Sequence, residues 1–325
     1  MFTLRQYLLA LLDSRGLTRT LGEIDVCRDE QGRPCFSAGN SAAVFRIRLG
    51  GRIRSLRCYL RPMRHLKEIY GQRLLEKELY LHTSPETGVW VDTVLGDWIE
   101  GSTLHETVAQ AAALRDRECL QILVRLFDRL ALALVTDDRA HGDLKPENII
   151  VGDDGTLCPI DFDASYLPAF AGEISPELGT AAYQHPARTA ADFDERIDDY
   201  PAALISTALH ALAEAPTLWD RYGSSDGLLY TPQRIASDPA YRETLALFEK
   251  RGMAVQYRIA QLLTAPTLRL FGLAELLAEA VREKPAARSG TEAETPELFV
   301  ENGRWGYRTA ERVVVAPLYD NGFDF

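Results

Sequence analysis

The spacing of the apolar residues changes near residue 100 of this 325-residue chain, and that change constrains the fold more than any other feature. Before it, short runs alternate apolar and polar residues between turn residues, which is typical of a small antiparallel sheet. After it, longer segments with broad apolar faces, such as "CLQILVRLFDRLALALV", predict helices. This order predicts an α+β fold, and the length is that of about two domains.

Several elements of the first region can be predicted individually. "VFRIRL" and "RIRSLRCYL" flank Gly50-Gly51, which predicts a hairpin. "LKEIYGQRLLEKELYLH", residues 66–82, predicts a helix, and "GVWVD" and "TVLGDWI" predict two further strands. Residues 1–22 are interpreted as a docked amphipathic helix. The apolar positions that recur there at helical spacing are Phe2, Leu4, Tyr7, Leu8, Leu11 and Leu12.

Composition narrows the classes of partner. The net charge of −11 weighs against nucleic acid, because such binding depends on phosphate neutralisation by Lys and Arg. The arginine-rich run from Arg46 to Lys67 is interpreted as a solvated strand face, except at Arg57. No apolar stretch approaches the length of a membrane span, so we expect no membrane partner. Five cysteines without a C-x-x-C pair suit a reduced compartment, which predicts a cytoplasmic protein.

One motif combines the residue types that phosphoryl transfer needs. "HGDLKPENIIV" occupies residues 141–151, and "LCPIDFD" follows at residues 157–163. Asp143 can accept the proton of an incoming hydroxyl, and Lys145 can reach phosphoryl oxygens. Asn148 and Asp161 can offer oxygen ligands to magnesium. "NIIV" and "LCPI" can pair as a small hairpin that brings the two polar ends together.

These residues resemble the catalytic motifs of protein kinases, in a variant with "HGD" that is similar to bacterial Ser/Thr protein kinases. The metal-binding D-F-G is matched by Asp161 and Phe162, with Asp163 in place of the glycine. The pattern H-R-D-L-K-P-x-N is matched by His141, Asp143, Leu144, Lys145, Pro146 and Asn148. The resemblance implies a bilobal protein kinase-like fold, with a small antiparallel-sheet N-lobe and a mainly helical C-lobe. It also implies ATP and Mg²⁺ as cofactors and a protein Ser/Thr hydroxyl as acceptor.

The resemblance extends to nucleotide-contacting residues in the first region. "SAGNSAAV" keeps only Gly39 of a glycine-rich loop, whose backbone N–H groups would cap phosphates. Pairing outward from the Gly-Gly turn puts Arg57 opposite Val44, although the alternation of "VFRIRL" also permits the opposite face. Arg57 then holds the place of the family's β3 lysine and could grip phosphate oxygens. Its expected ion-pair partner on the following helix is Glu76, with Glu78 as the alternative.

Two further segments match the family in order along the chain. "LGDWIEGSTL" resembles the hinge, where the backbone of Asp97 and Ile99 would hydrogen-bond adenine and Gly96 would gate the rear pocket. "GTAAYQHPA", residues 179–187, resembles the end of the activation segment, with Ala187 in place of a glutamate.

Two single positions complete the comparison with the family. Asp198 resembles the aspartate that braces the catalytic loop from a central helix. Gly142 replaces an arginine that pairs with activation-loop phosphate in many kinases, so nothing in the motif predicts activation by loop phosphorylation.

Past the helical region the composition becomes polar and proline-bearing, and a β-rich tail follows. We predict an N-lobe over residues 23–100, a C-lobe over 101–282, a linker over 283–297 and a final segment over 298–325. That segment resembles a single WG repeat, matched by Trp305, Gly306, Tyr307, Pro317, Leu318, Tyr319, Asp320 and Phe325. One repeat can hardly bury its own apolar face, so we expect an incomplete array or a unit docked on the helical lobe. It could recruit a protein substrate or partner.

Three functions remain open from the sequence. The first is an ATP- and magnesium-dependent Ser/Thr protein kinase, which the complete set of motif residues favours. The second is a nucleotide-binding pseudokinase, favoured by Arg57, the sparse glycines, Asp163 and Ala187. The third is a small-molecule phosphotransferase, for which "HGD" is the only support.

Overall fold

The structure is a computed structural model that describes residues 1–282 and the backbone of residues 297–301, 304–308 and 313–319. The chain divides into two compact units, Met1–Ile99 and Glu100–Phe325. The described residues combine antiparallel sheets with helices, as an α+β fold does. Within this described part, no helix is both long and apolar enough to cross a membrane.

The first unit contains a six-stranded antiparallel sheet in the order β1-β3-β4-β6-β5, with β2 also beside β3. Its elements are α1 (Leu4–Leu12), β1 (Asp25–Val26), β2 (Phe36–Ala38), β3 (Ala42–Leu49), β4 (Arg52–Tyr59), α2 (Leu66–Tyr70), β5 (Leu74–His82) and β6 (Gly88–Asp97). The strand β6 is continuous, whereas the sequence analysis predicted two strands there.

The predicted Gly-Gly hairpin is confirmed. Strands β3 and β4 are joined by Gly50 and Gly51, whose φ angles are 56° and 80°. Positive φ at both central residues is what a two-residue turn of this kind requires, and glycine adopts it without strain. Leu49 and Arg52 pair directly on either side of the turn, so the turn sets the register of the whole hairpin.

The N-terminal helix packs on this sheet. Thr3 and Gln6 form a capping box at the start of α1, and its buried residues are Tyr7, Ala10 and Leu11. The Tyr7 hydroxyl donates to the Tyr59 carbonyl oxygen at 2.6 Å. Amphipathic packing is therefore confirmed, but the helix ends at Leu12 and does not fill residues 1–22. It stops at Asp13, whose φ of −138° and ψ of 78° lie outside the helical region. The hydroxyl of the following Ser14 accepts the Ile24 N–H at 2.7 Å.

The helix predicted over residues 66–82 is mostly wrong. Only α2 is helical, followed by a single 3-10 turn at Gly71–Arg73, and Leu74–His82 forms the strand β5. The helix ends because Gly71 takes φ 51° and ψ −123°, a conformation outside the helical region. Strand β5 then pairs with β6, where buried Leu79 lies opposite Val91. Pairing with the next strand along the chain overrides the local helical spacing.

The second unit is mainly helical over its described residues. Its elements are β7 (Gly101–Thr103), α3 (Leu104–Leu114), α4 (Arg117–Thr136), β8 (Ile149–Gly152), β9 (Leu157–Pro159), α5 (Asp199–Glu214), α6 (Leu218–Tyr222), α7 (Pro239–Arg251), α8 (Ala254–Leu262) and α9 (Leu273–Arg282). The helix predicted for "CLQILVRLFDRLALALV" is confirmed as part of α4. Both α4 and α5 contribute extensively to one apolar core, in which Phe127, Leu134, Ile205 and Leu209 are almost fully buried.

Three strands follow near the C-terminus. β10 (Glu297–Glu301), β11 (Arg304–Arg308) and β12 (Val313–Tyr319) form an antiparallel sheet in that order. The predicted linker at residues 283–297 lies outside the described residues apart from Glu297, and so do Asp320 and Phe325. The resemblance of this segment to a WG repeat stays a prediction.

The buried carboxylate of Asp199, the first residue of α5, should make the stability of the protein depend on pH. The Asp199 carboxylate accepts the Leu270 N–H at 3.2 Å, and burial raises the pKa of Asp199 from 3.8 to about 7. Between these two values the folded chain holds a proton that the unfolded chain has lost, so this group lowers stability as pH rises. Asp199→Asn should therefore increase the free energy of unfolding at pH 8, by up to about 4 kcal/mol more than at pH 4. Urea titrations at the two pH values would measure this, and an equal effect at both would contradict it.

Candidate active site

A short hairpin brings the two halves of the polar motif together, as predicted. Strands β8 and β9 pair with Ile149 opposite Pro159. One step further out, the Ile160 N–H donates to the Asn148 carbonyl oxygen at 2.8 Å. Asn148 directly precedes β8, and Asp161 directly follows Ile160. The hairpin therefore sets the two predicted metal ligands near each other at the same end.

Asp143, Lys145 and Asn148 form one connected network. The Asn148 amide nitrogen donates to Asp143 Oδ2 at 3.1 Å and to the Asp143 carbonyl oxygen at 2.9 Å. Lys145 Nζ lies 3.3 Å from Asp143 Oδ2. These side chains are partly or wholly buried, so the electrostatic interactions between them are less screened than on an open surface. Their geometry combines a carboxylate, a cation and an amide oxygen in one place.

Thr180 joins this network, although the sequence analysis gave it no role. Its N–H donates to Asp143 Oδ1 at 2.6 Å, and its hydroxyl accepts from Lys145 Nζ at 2.8 Å. The preceding Gly179 permits this approach, because a β-carbon there would lie 2.8 Å from the Gly142 carbonyl oxygen. The only signal in the sequence was a hydroxyl residue directly after a glycine.

The predicted bracing by Asp198 is confirmed. Its carboxylate accepts the backbone N–H groups of His141 and Gly142, the latter at 3.0 Å. Complete burial raises the pKa of Asp198, while His141 and these two N–H groups act in the opposite direction. The buried His141 ring makes a second contact that holds the loop, since its Nε2 lies 2.8 Å from the Ile160 carbonyl oxygen. The loop that carries Asp143 is thus held from α5 and from the β9 end of the hairpin.

Gly142 occupies a position with no room for a side chain. Its φ is 81°, and a β-carbon there would lie 2.0 Å from the Ala164 carbonyl oxygen and 2.7 Å from the carbonyl carbon. Both obstacles are backbone atoms, which do not move aside as a flexible side chain does. The glycine of "HGD" is therefore a steric requirement of this loop.

The residues predicted to hold magnesium fit a hard cation in part. The Asn148 amide nitrogen is used on Asp143, while its carbonyl oxygen accepts no hydrogen bond from the described residues. Asp161 takes φ 70° and ψ 60°, a left-handed conformation that costs a non-glycine residue energy and is often found at functional sites. Over residues 1–282, no group of three or more His, Cys, Asp or Glu could hold a metal ion. One amide and one or two carboxylates match Mg²⁺, which usually takes its remaining ligands from phosphates and water.

In the first unit, the register predicted for Arg57 is confirmed. Val44 and Arg57 are direct cross-strand partners on β3 and β4, so their side chains share one face of the sheet. Gly39 lies in the turn between β2 and β3, where its N–H donates to the Ala42 carbonyl oxygen at 2.9 Å. A β-carbon at Gly39 would meet nothing closer than 3.9 Å, so a glycine is not needed to form this turn.

The expected ion-pair partner of Arg57 must be corrected. Glu76 and Glu78 lie on the strand β5 and not on a helix. Glu76 is exposed and pairs with Lys67 at 3.6 Å. Glu78 is buried, and its carboxylate accepts the N–H groups of residues 19–21 at 2.9–3.1 Å and the Thr20 hydroxyl at 2.6 Å. The role of Glu78 is to anchor the segment between α1 and β1 to the sheet.

This difference between the two glutamates is directly testable. Glu78→Ala leaves the N–H groups of Thr20 and Leu21 without their acceptor, whereas the Arg19 N–H keeps the Glu78 backbone carbonyl oxygen. It is expected to destabilise the protein by about 3 kcal/mol. Glu76→Ala removes only an exposed ion pair and should cost less than about 1 kcal/mol. Urea unfolding of the two variants provides a matched comparison. Equal losses would show that Glu78 does not anchor this segment to the sheet.

The residues predicted at the hinge end the last strand of the first unit. Asp97 closes β6, where its carbonyl oxygen accepts the Ser55 hydroxyl at 3.0 Å and its carboxylate pairs with Arg54 at 3.3 Å. A β-carbon at Gly96 would lie 2.8 Å from Ser55 Oγ, so a larger residue there would displace that hydroxyl. Ile99 is the last residue of the unit. Adenine contacts of Asp97 and Ile99 stay predictions.

Comparison with known proteins identifies distant relatives among Ser/Thr protein kinases. No family model matches the chain. The chain is 28% identical over 172 residues to CBL-interacting protein kinase 17 of rice, covering 50% of this chain and 35% of that protein. It is also 28% identical over 219 residues to the serine/threonine-protein kinase PknL of Mycobacterium tuberculosis, covering 62% of this chain and 52% of that kinase. The matches therefore span about half or less of the length of these relatives.

Proposed function

We propose that this protein transfers the γ-phosphoryl group of ATP to Ser or Thr hydroxyls of proteins, with magnesium as cofactor. The observation that carries the proposal is the direct contact of Asp143 with Lys145, Asn148 and Thr180. Distant similarity to Ser/Thr protein kinases supports the same reaction class. The bilobal arrangement expected from the resemblance is part of the proposal.

In this proposal Asp143 orients the acceptor hydroxyl and takes its proton as the phosphorus–oxygen bond forms. Lys145, held by Asp143 and Thr180, neutralises charge on the transferred phosphoryl group. Asn148 and Asp161 would hold Mg²⁺, which supplies positive charge to the phosphate oxygens when bound. Asp198 keeps the loop of Asp143 in position through the His141 and Gly142 N–H groups.

Residues of the first unit are proposed to contact the nucleotide. The backbone around Gly39 would cap phosphates, Val44 would contact the base, and Arg57 would bind phosphate oxygens. The backbone of Asp97 and Ile99 would hydrogen-bond adenine. The C-terminal strands β10–β12 are proposed as a WG-repeat-like module that recruits a protein substrate or partner.

A second candidate is a nucleotide-binding protein without turnover. It is favoured by Arg57 in the position of the family's lysine and by a β2–β3 turn whose single glycine is sterically dispensable. Such a protein would use the same residues to bind magnesium and ATP without transferring phosphate.

Labelled ATP separates these candidates. Under the proposal, magnesium-dependent label appears on generic protein substrates, and chelation of magnesium removes it. Thermal stabilisation by magnesium–ATP without any transfer would overturn the proposal in favour of nucleotide binding alone. Label on small metabolites and none on protein would overturn it in favour of a small-molecule phosphotransferase.

A further inference from the structure

A buried arginine outside the recognised motifs contacts the loop that carries Asp143. Arg188 lies just after the segment "GTAAYQHPA", and only 9% of the residue is exposed. Its Nη1 donates to the Gly142 carbonyl oxygen at 3.0 Å and also to Gln184 Oε1. Its Nε and Nη2 are buried and have no hydrogen-bond partner among the described residues. A guanidinium that is buried to this extent requires nearby negative charges, which offset the free-energy cost of removing it from water.

Nearby carboxylates provide this compensation. The negative charges that act most strongly on Arg188 are those of Asp198 and Asp143, followed by Asp192 and Asp194. Burial lowers the pKa of Arg188, while these carboxylates raise it. Because an arginine side chain keeps its proton in proteins, the guanidinium stays a cation beside Asp143.

Arg188 reaches the backbone of Gly142, a residue that has no room for a side chain of its own. No side chain can extend from Gly142, because the Ala164 backbone lies against it. A positive charge at the Gly142 backbone comes instead from Arg188, 46 positions later in the chain. Arg188 and Asp198 bind the two backbone polar groups of Gly142. Asp198 accepts the Gly142 N–H, and Arg188 donates to the Gly142 carbonyl oxygen.

We infer that Arg188 is a positioning residue for phosphoryl transfer. By binding the Gly142 carbonyl oxygen, it fixes the peptide that joins Gly142 to Asp143, and with it the direction of the Asp143 carboxylate. This inference rests on the proposed function. The expected effect on the rate follows from the sensitivity of such reactions to geometry. A displacement of about 1 Å at a reacting group can reduce the rate about 100-fold.

The kinetic test compares Arg188→Met, Arg188→Lys and Arg196→Met. Arg188→Met is expected to lower kcat about 100-fold while changing KM for magnesium–ATP less than about twofold. Arg188→Lys should recover at least about tenfold of that loss, because an ammonium group can still donate to the Gly142 carbonyl oxygen. Arg196 is the matched control: it donates to the Val135 carbonyl oxygen on α4, so Arg196→Met should change stability without lowering kcat.

A second measurement is independent of turnover. Amide hydrogen exchange of Gly142 and Thr180, whose N–H groups bind Asp198 and Asp143, should accelerate at least about tenfold in Arg188→Met and stay unchanged in Arg196→Met. If Arg188→Met folds poorly, Arg188→Lys provides both measurements at intermediate values. A folded Arg188→Met protein with wild-type kcat or wild-type exchange at these amides overturns the inference. An inactive wild-type protein overturns the proposed function, while the exchange data still decide whether Arg188 holds the loop.

Discussion

Gly142→Ala is expected to destabilise the protein by about 2–5 kcal/mol and to eliminate phosphoryl transfer. A left-handed conformation costs a residue with a β-carbon about 1–2 kcal/mol. Overpacking against fixed atoms adds about 1–3 kcal/mol, because the new β-carbon would lie 2.0 Å from the Ala164 carbonyl oxygen. Relief of that contact requires the loop to move, and Asp143 is the next residue along it.

Gly155→Ala separates the two contributions. Gly155 lies in the turn between β8 and β9 with φ 79°, and a β-carbon there meets nothing within 4 Å. This variant carries the conformational cost alone and should lose about 1–2 kcal/mol. Urea unfolding measures both free energies, and the phosphoryl-transfer assay should find Gly155→Ala active. Similar losses at the two glycines would mean that the Ala164 backbone does not constrain residue 142.

The parts of the fold that the sequence predicted correctly depend on local information. Two glycines between alternating runs define the β3–β4 hairpin, and counting from that turn puts Arg57 opposite Val44. The hairpin of β8 and β9 likewise follows from two short apolar runs close together in the chain. In both cases a short connection leaves few alternative pairings.

The predictions that failed concern residues whose partners do not show in the local spacing of apolar residues. The segment 74–82 has leucines at spacings that suit a helix, and its pairing with β6 makes it a strand. Glu78 is buried by residues 19–21, which lie almost 60 positions earlier. Local periodicity reveals neither contact, so it wrongly predicts an ion pair of Glu76 or Glu78 on a helix, where the structure has the strand β5.

The candidate site shows the same division. Asp143, Lys145 and Asn148 belong to one recognisable motif, and their mutual contacts follow from their closeness in sequence. Thr180 and Arg188 reach the same loop from 35–46 positions away. In the sequence alone, Gly142 indicates only the loss of a cation. The Ala164 backbone that excludes a side chain there, and the guanidinium that arrives from another segment, are visible only in the structure.

Asp143→Asn is expected to lower kcat about 1,000-fold, with the affinity for magnesium–ATP changed less than about twofold. General-base catalysis contributes about 10²–10⁴-fold, and an amide cannot take the proton of the acceptor hydroxyl. The substitution keeps the size of the side chain and an oxygen that can accept the Thr180 N–H. Fold and nucleotide binding should therefore persist. Steady-state kinetics with labelled ATP measure kcat, and calorimetry measures the affinity.

The contacts of Asp143 explain why this loss should be large. A carboxylate offers about four acceptor positions, and the donors already present are the Thr180 N–H, the Asn148 amide and Lys145 Nζ. One position then remains for an incoming hydroxyl, which fixes the line of its approach. Asp153→Asn is the matched control, because it makes the same chemical change at an exposed residue in the nearby β8–β9 turn. If Asp143→Asn keeps more than one-tenth of the wild-type kcat, Asp143 only organises the loop, and the proton must leave by another group.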